Sequence, residues 1–294
     1  MAQSKADFKL LTLNTHSWQE ADNASCLRHV AEAVQNERPD VIALQEVNQT
    51  DGGTPAEEGR LRASGYVPGG FSIVENNWAL LLSELLRSAG LNYWWSWAFA
   101  HVGYKTWAEG VALLSRTSIN EVCCADVSSP DLPEGSWRRR RVLAVQNERG
   151  WFCSAHMGWW GDEIDPFRGQ WERLSAFAGN MKSPRWLMGD FNCPAHLKDE
   201  GYDLMLASGW QDCHARAEQR DGGVTVPGQI DGWRDRPVDG IRLDLCLAGQ
   251  MGRTLRSRVI FNGAFYPVVS DHYGVLTWEE APDSRSGDRT EEQP

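Results

Sequence analysis

Trp186-Leu187-Met188-Gly189-Asp190-Phe191-Asn192 is an apolar run that stops on a carboxylate and, two residues on, an amide. Trp186 to Met188 reads as a buried strand feeding Asp190. On an extended segment Asp190 and Asn192 face the same side. The same form recurs in Leu11-Thr12-Leu13-Asn14, Ile42-Ala43-Leu44-Gln45-Glu46, Ser154-Ala155-His156 and, near the end, Ser270-Asp271-His272. Apolar strands that each end in an acid, an amide or an imidazole gather those groups at one shared sheet edge. Such an edge makes a polar pocket that can hold a hard cation and activate water.

The chain between these strings alternates strands and helices. Phe8 to Leu13 and Val41 to Leu44 read as strands, and Leu27, Val30, Ala31 and Val34 lie on one helical face. Asp22 or Asn23 caps that helix, and Pro39 lies beyond its end. Trp78, Leu81, Leu82, Leu85, Leu86 and Ala89 predict a second helix, capped by Asn76 or Asn77. Val111 to Leu114, Val142 to Val145, Trp151 to Ala155, Leu243 to Leu247 and Val275 to Trp278 predict further strands. A helix follows Asp165-Pro166, with Phe167, Trp171, Leu174 and Ala178 inward, and a shorter one covers Tyr202 to Ala207. Residues 50–70 and 220–240, rich in Gly and Pro, predict two long loops, the first a lid or an ornament. Strands outnumber helices, and several connections are too short for crossover helices. This predicts a mixed sandwich of two sheets with helices outside. Residues 1–280 form a single catalytic domain on this reading, and the polar residues 281–294 a disordered tail.

The 294 residues carry a net charge of −11, and the one dense basic run is Arg138-Arg139-Arg140-Arg141. So acidic a surface disfavours a nucleic-acid partner. Seven cysteines without a C-x-x-C pair argue against a disulfide framework and against structural zinc. The polar start of the chain and the lack of a long apolar run predict a cytoplasmic enzyme without a membrane partner. Tryptophan is over-represented, at 15 copies, with Trp94, Trp95, Trp97 and Trp107 in one stretch and Trp159-Trp160 in another. These rings serve either as packing or as a wall of flat faces for stacking on sugar rings.

The polar groups have definable chemistry. Glu46 follows a buried run and needs a partner, either an arginine or a divalent cation. The oxygen ligands Glu46, Asn14 and Asp271 suit Mg²⁺ or Mn²⁺ better than Zn²⁺. Asp244 lies on the apolar strand Arg242-Leu243-Asp244-Leu245, and an imidazole such as His272 is a fitting partner that it would orient. His156 is a second imidazole, for a phosphate oxygen or a leaving group. Asp190 and Asn192 either cap a turn or orient water and donate to an oxyanion. Alternate arginines of the basic run, such as Arg138 and Arg140, either reach the pocket to bind an anion or stay solvated.

Leu-Asn, Leu-Gln-Glu-Val, Gly-Asp-Phe-Asn, Arg-Leu-Asp and Ser-Asp-His, in this order over about residues 8–278, resemble the endonuclease/exonuclease/phosphatase superfamily. The resemblance implies a four-layer α/β/β/α sandwich with a metal site at one end of the sheets. It implies Glu46 as the main Mg²⁺ ligand, Asn14 as its neighbour and Asp271 beside the metal. Asp190 resembles the residue that orients or deprotonates water, Asn192 the transition-state donor, Asp244 and His272 the orienting pair, and His156 the phosphate-contacting histidine. One departure is His16, where nuclease branches carry an acid or amide. Leu13-Asn14-Thr15-His16-Ser17-Trp18 is similar to the maltose 6'-phosphate phosphatase branch. So are Tyr93 to Trp97, His101 to Tyr104, His156 to Trp160, Thr225 to Gly228 and Ile230 to Trp233, which fall where substrate loops belong.

The expectation is a Mg²⁺-dependent phosphatase, Mn²⁺ being the other candidate ion, for a small phosphorylated sugar such as a disaccharide phosphate. His16, Arg138 and Arg140 would bind the phosphate, and Trp95 and Trp159 the sugar. A nuclease or lipid phosphodiesterase of the same superfamily is the alternative. A catalytically dead binding module is the third reading, and it would show a lost ligand or base.

Overall fold

The computed structural model describes residues 7–230, 232–233, 240–250 and 252–280. In chain order the elements are β1 (Phe8–Asn14), α1 (Asn23–Glu37), β2 (Val41–Thr50), α2 (Glu58–Ser64), α3 (Trp78–Ser88), β3 (Trp94–Gly103), β4 (Trp107–Ser115), β5 (Glu121–Asp126), β6 (Arg141–Asn147) and β7 (Gly150–His156). There follow α4 (Phe167–Gly179), β8 (Arg185–Asp190), α5 (Gly201–Ala207), β9 (Gln211–Asp212), α6 (Cys213–Arg216), β10 (Gln219–Arg220), β11 (Asp244–Ala248), β12 (Thr254–Ile260) and β13 (Gly274–Glu279). The caps come from the short polar residues expected. Asp22 accepts the Ser25 amide ahead of α1, and Asn77 accepts two amides of α3.

The strands form two mixed sheets of seven and six strands, ordered β10-β12-β13-β1-β2-β4-β3 and β5-β6-β7-β8-β11-β9. Alternation along the strands sorts their side chains into layers. Phe8, Leu10, Val41, Ala43 and Leu113 pack across the interface on Leu143, Val145, Phe152, Trp186 and Met188. The opposite face of the first sheet, with Leu11, Leu13 and Ile42, is covered by Leu27, Val30 and Val34 of α1 and Trp78 and Leu82 of α3. Trp171 and Leu174 of α4 and Met205 of α5 cover the second sheet. Each such large apolar side chain contributes about 1.5–3 kcal/mol on burial. The result is the four-layer sandwich anticipated from the sequence.

Three expectations are corrected. Residues 50–70 hold helix α2, and a bridge pairs Tyr66 with Trp95. The segment is part of the packed outer layer, and none of it lines the cleft described below. Tyr93 to Trp97 and His101 to Tyr104 do not form substrate loops: Trp94–Gly103 is strand β3, paired along its length with β4, and of these residues His101, Gly103 and Tyr104 line the cleft described below. Trp95 is therefore a core residue, fully buried, with its indole N–H donating to Ser64 Oγ at 3.0 Å and its ring 4.8 Å from that of Tyr66. The tail 281–294 lies outside the described residues. No helix among the described residues is long and apolar enough to cross a membrane.

Candidate active site

Both sheets deliver side chains to one end of the sandwich. β1 and β2 run parallel with Asn14 opposite Gln45, so Asn14 and Glu46 emerge side by side. A register shift between Leu44 and Val47 breaks the pairing of β2 with β4 at that point and turns Glu46 toward the cleft, at a left-handed φ of 51°. In the second sheet His156 of β7 and Asp244 of β11 are both register partners of Asp190 on β8. Gly189 makes that approach feasible: at its φ of 150°, a Cβ would lie 1.9 Å from the Ala155 carbonyl oxygen. His16, Ser17 and Asn192 also take left-handed conformations, so backbone strain collects at this end of the molecule.

The polar contacts join the two sheets. Asn14 Nδ2 donates to Glu46 Oε1 at 2.9 Å and to Asp190 Oδ2 at 3.2 Å. Asn14 is fully buried behind Glu46, so it holds the carboxylates in place and does not itself line the cleft. Gln45 Nε2 donates to Ser154 Oγ, whose hydroxyl donates to the Leu44 carbonyl, a second bridge between the sheets. His272 Nδ1 lies 2.9 Å from Asp244 Oδ2, and its Nε2 is 3.7 Å from Asp190 Oδ2. Thr225 Oγ1 accepts the Asp244 amide, and Asp244 Oδ1 has no hydrogen-bond partner among the described residues. The Asn192 amide donates to the Met157 carbonyl and accepts the Trp233 indole N–H.

Burial sets the charges. It pushes Asp190 up to about 7, against the opposing pull of His272. Burial opposes the charge on His272, but Asp244 and Asp190 hold its pKa well above the ordinary imidazole range. Burial, and then the Arg140 charge, hold His156 well below that range, so it stays neutral. A neutral His156 suits hydrogen bonding to phosphate and not proton donation as an imidazolium. One partner escaped the sequence reading. Glu109 on β4 sits 3.9 Å from His156 Nδ1 and 3.4 Å from His101 Nε2, and burial with the Glu46 charge pushes it up to about 8. The signal was available: Glu109 is an acid within the apolar strand that follows Trp107.

These groups line a cleft of about 1050 Å³. His16, Glu46, His156, Asp190, Asn192, Asp271 and His272 form its reactive end, and Arg138, Arg140, Trp137 and Trp159 part of its wall. Both predicted arginines therefore reach the site. Arg138 Nε donates to Asp162 Oδ2 at 2.9 Å. Arg140 is buried, and its Nε has no hydrogen-bond partner among the described residues. Trp137 and Trp159 meet edge to face at 6.0 Å, and Trp137, which the sequence reading passed over, is 47% exposed. Gly232 packs directly on Trp159; a Cβ there would be 2.6 Å from the indole.

The endonuclease/exonuclease/phosphatase family model matches residues 11–272. The chain belongs to that family. Members are metal-dependent phosphoric ester hydrolases, and so is this protein. Its fold matches that of an endonuclease/exonuclease/phosphatase family protein from Leptotrichia buccalis C-1013-b at 28% identity and a TM-score of 0.80, over 93% of this chain and 99% of that one. A mannosyl-6-phosphatase from Bacteroides thetaiotaomicron VPI-5482 shares the fold at 17% identity and a TM-score of 0.60, over 92% and 98% of the two chains. So does a 3' phosphatase from Neisseria bound to a product DNA hairpin, at 18% identity and 0.59, over 92% and 98%. No curated protein is significantly similar to the chain.

The site fits the divalent ion on which the family depends. Glu46 has no lysine or arginine partner among the described residues; its nearest cation-forming contact is His156 Nε2 at 4.0 Å. Burial raises its pKa, and the neighbouring Asp271 raises it further against the pull of His16. Glu46, Glu109, Asp190 and Asp271 thus crowd one end of the cleft, and a divalent cation would offset their repulsion.

Proposed function

We propose that the protein is a divalent-metal-dependent phosphomonoesterase for a small phosphorylated sugar, with a disaccharide phosphate such as maltose 6'-phosphate as the model substrate. One observation carries this reading. The phosphoryl-transfer groups and an aromatic, hydrogen-bonding wall built from Trp137, Trp159, Arg138 and Asp162 share one cleft. Flat indole faces stack on a pyranose ring, while an Arg–Asp pair offers donors and acceptors to its hydroxyls.

Glu46 and Asp271 would hold the ion, which when bound neutralises charge on the phosphate; their oxygens suit Mg²⁺ or Mn²⁺. Asp190 takes up the proton of the attacking water as its oxygen bonds to phosphorus, with the His272 imidazolium 3.7 Å away holding its carboxylate in place. Asp244 fixes the imidazole of His272. Asn192, Arg140 and the N–H of neutral His156 donate to the phosphoryl oxygens as charge builds there. The P–O bond to the sugar breaks opposite the water, the leaving oxygen takes a proton from solvent water, and Asp190 returns its proton to solvent. The net reaction consumes water and releases inorganic phosphate and the sugar alcohol. The net charge of −11 supports a small substrate over a nucleic acid, and cytoplasmic sugar metabolism is the setting we assign.

The test is phosphate release from a panel of phosphorylated mono- and disaccharides, with added divalent ion and with EDTA, beside a plasmid-nicking assay. Metal-dependent release from a disaccharide phosphate with intact plasmid is the expected result. Nicking without sugar-phosphate turnover would reject the proposal in favour of a nuclease.

A further inference from the structure

The turn after β1 places an imidazole in the lining of the cleft beside Glu46 and Asp271. His16 and Ser17 are both left-handed, at φ of 46° and 26°. The turn is tied to the backbone around Glu46: Ser17 Oγ donates to the Glu46 carbonyl at 2.7 Å and accepts the Asn48 amide, and the Thr15 hydroxyl donates to the Gln45 carbonyl. The His16 amide donates to Asn14 Oδ1 at 3.2 Å. His16 is thus fixed to the two residues that frame Glu46.

The ring has a directed environment. Its Nδ1 is 2.8 Å from Glu20 Oε1 and 4.0 Å from Asp271 Oδ1. His16, Glu20 and Asp271 each bring a ligating atom within 4.8 Å of the other two. Nε2 has no hydrogen-bond partner among the described residues. A carboxylate that accepts one ring N–H while leaving the other nitrogen open is the usual support of a metal-bound histidine. The pair could instead be an ordinary surface ion pair, which contributes little to stability. Such a pair would not require a strained turn tied to Glu46, nor a place in the cleft beside Glu46 and Asp271.

We propose that His16 supplies a nitrogen ligand to the divalent ion held at Glu46 and Asp271, that Glu20 positions its ring, and that the mixed nitrogen–oxygen set selects a transition ion over Mg²⁺. The inference rests on the metal-dependent reading above. Carboxylate and water ligands alone serve Mg²⁺ and Mn²⁺ alike, whereas an imidazole favours the first-row transition ions.

Manganese(II) tests this without turnover. Pulsed EPR of the Mn²⁺-loaded wild-type protein should show coupling to an imidazole nitrogen. His16→Asn keeps a residue that tolerates the left-handed turn, and it should lose the coupling. The same variant should weaken Mn²⁺ about 10–100-fold while Mg²⁺, measured by competition, changes less than about threefold. Glu20→Gln should retain the coupling and weaken Mn²⁺ about tenfold. The proposal is overturned if Mn²⁺ binds the wild type, depends on Glu46 and shows no nitrogen coupling, or if the coupling survives in His16→Asn. Mn²⁺ binding that is unaffected by Glu46→Gln would overturn this proposal together with the placement of the ion at Glu46.

Discussion

Asp244 holds His272 Nδ1 at 2.9 Å from the strand position directly opposite Asp190, so one carboxylate orients the imidazole that another faces at 3.7 Å. Asp244→Asn should therefore damage the chemical step more than binding. The expected result is a fall in kcat of about 10²–10⁴-fold with KM changed less than about threefold, read from steady-state phosphate release. A large rise in KM with normal kcat would contradict this role.

Glu46→Gln removes a charge that pairs directly with no lysine or arginine among the described residues. Calorimetric titration should show divalent-ion binding weakened at least about 100-fold, with metal-dependent turnover lost. In EDTA the variant should melt at or slightly above the wild type, because a buried and repelled carboxylate has been neutralised.

Glu109 gives a pH signature. Its folded pKa of about 8 exceeds the unfolded 4.5, so the folded state binds more protons between these values. The stability it contributes is complete below about pH 4.5 and is lost as pH rises through about 8. Asp190, raised to about 7, acts in the same direction. In EDTA, wild-type Tm should fall between about pH 5 and about pH 9 relative to Glu109→Gln. A Tm difference independent of pH would show that Glu109 titrates normally.

Two tryptophans separate wall from core. Trp137→Ala should leave stability within about 0.5 kcal/mol. It should raise KM for a sugar phosphate by about 3–10-fold, in keeping with an aromatic contact of about 0.5–1.5 kcal/mol, without affecting a small aryl phosphate. Trp95→Ala should cost about 3–5 kcal/mol of stability, while the folded fraction keeps its KM. The reverse pattern would return Trp95 to the substrate wall.

The strings ending in Asn14, Glu46, His156 and Asp190 were legible because chemistry and strand pattern coincide in each, whereas Asp271-His272 lies in the connection before β13 and not at the end of a strand. An apolar run gave the strand, and its polar end gave residues that gather around one cleft. Trp95 misled because a ring in a dense aromatic stretch looks the same whether it faces a ligand or α3. Only the packing of that face of β3 under α2 and α3, a tertiary fact, sends it inward. Helix α2 was hidden by the glycines and prolines that flank it. Glu109 was passed over because His101 faces it only in the register of the β3–β4 hairpin, and His156 is remote in sequence and meets it only after the sheets dock. Trp137 was overlooked because it adjoins the arginine run, which drew the reading to charge.

The bridges from Asn14 to Asp190 and from Gln45 to Ser154 cross from one sheet to the other. Neither sheet alone owns a working set of residues. A partly folded species with one sheet formed would therefore be inert, however native its strands. Catalytic competence should vanish in step with global unfolding in urea, which makes turnover a direct reporter of sheet-on-sheet assembly during refolding.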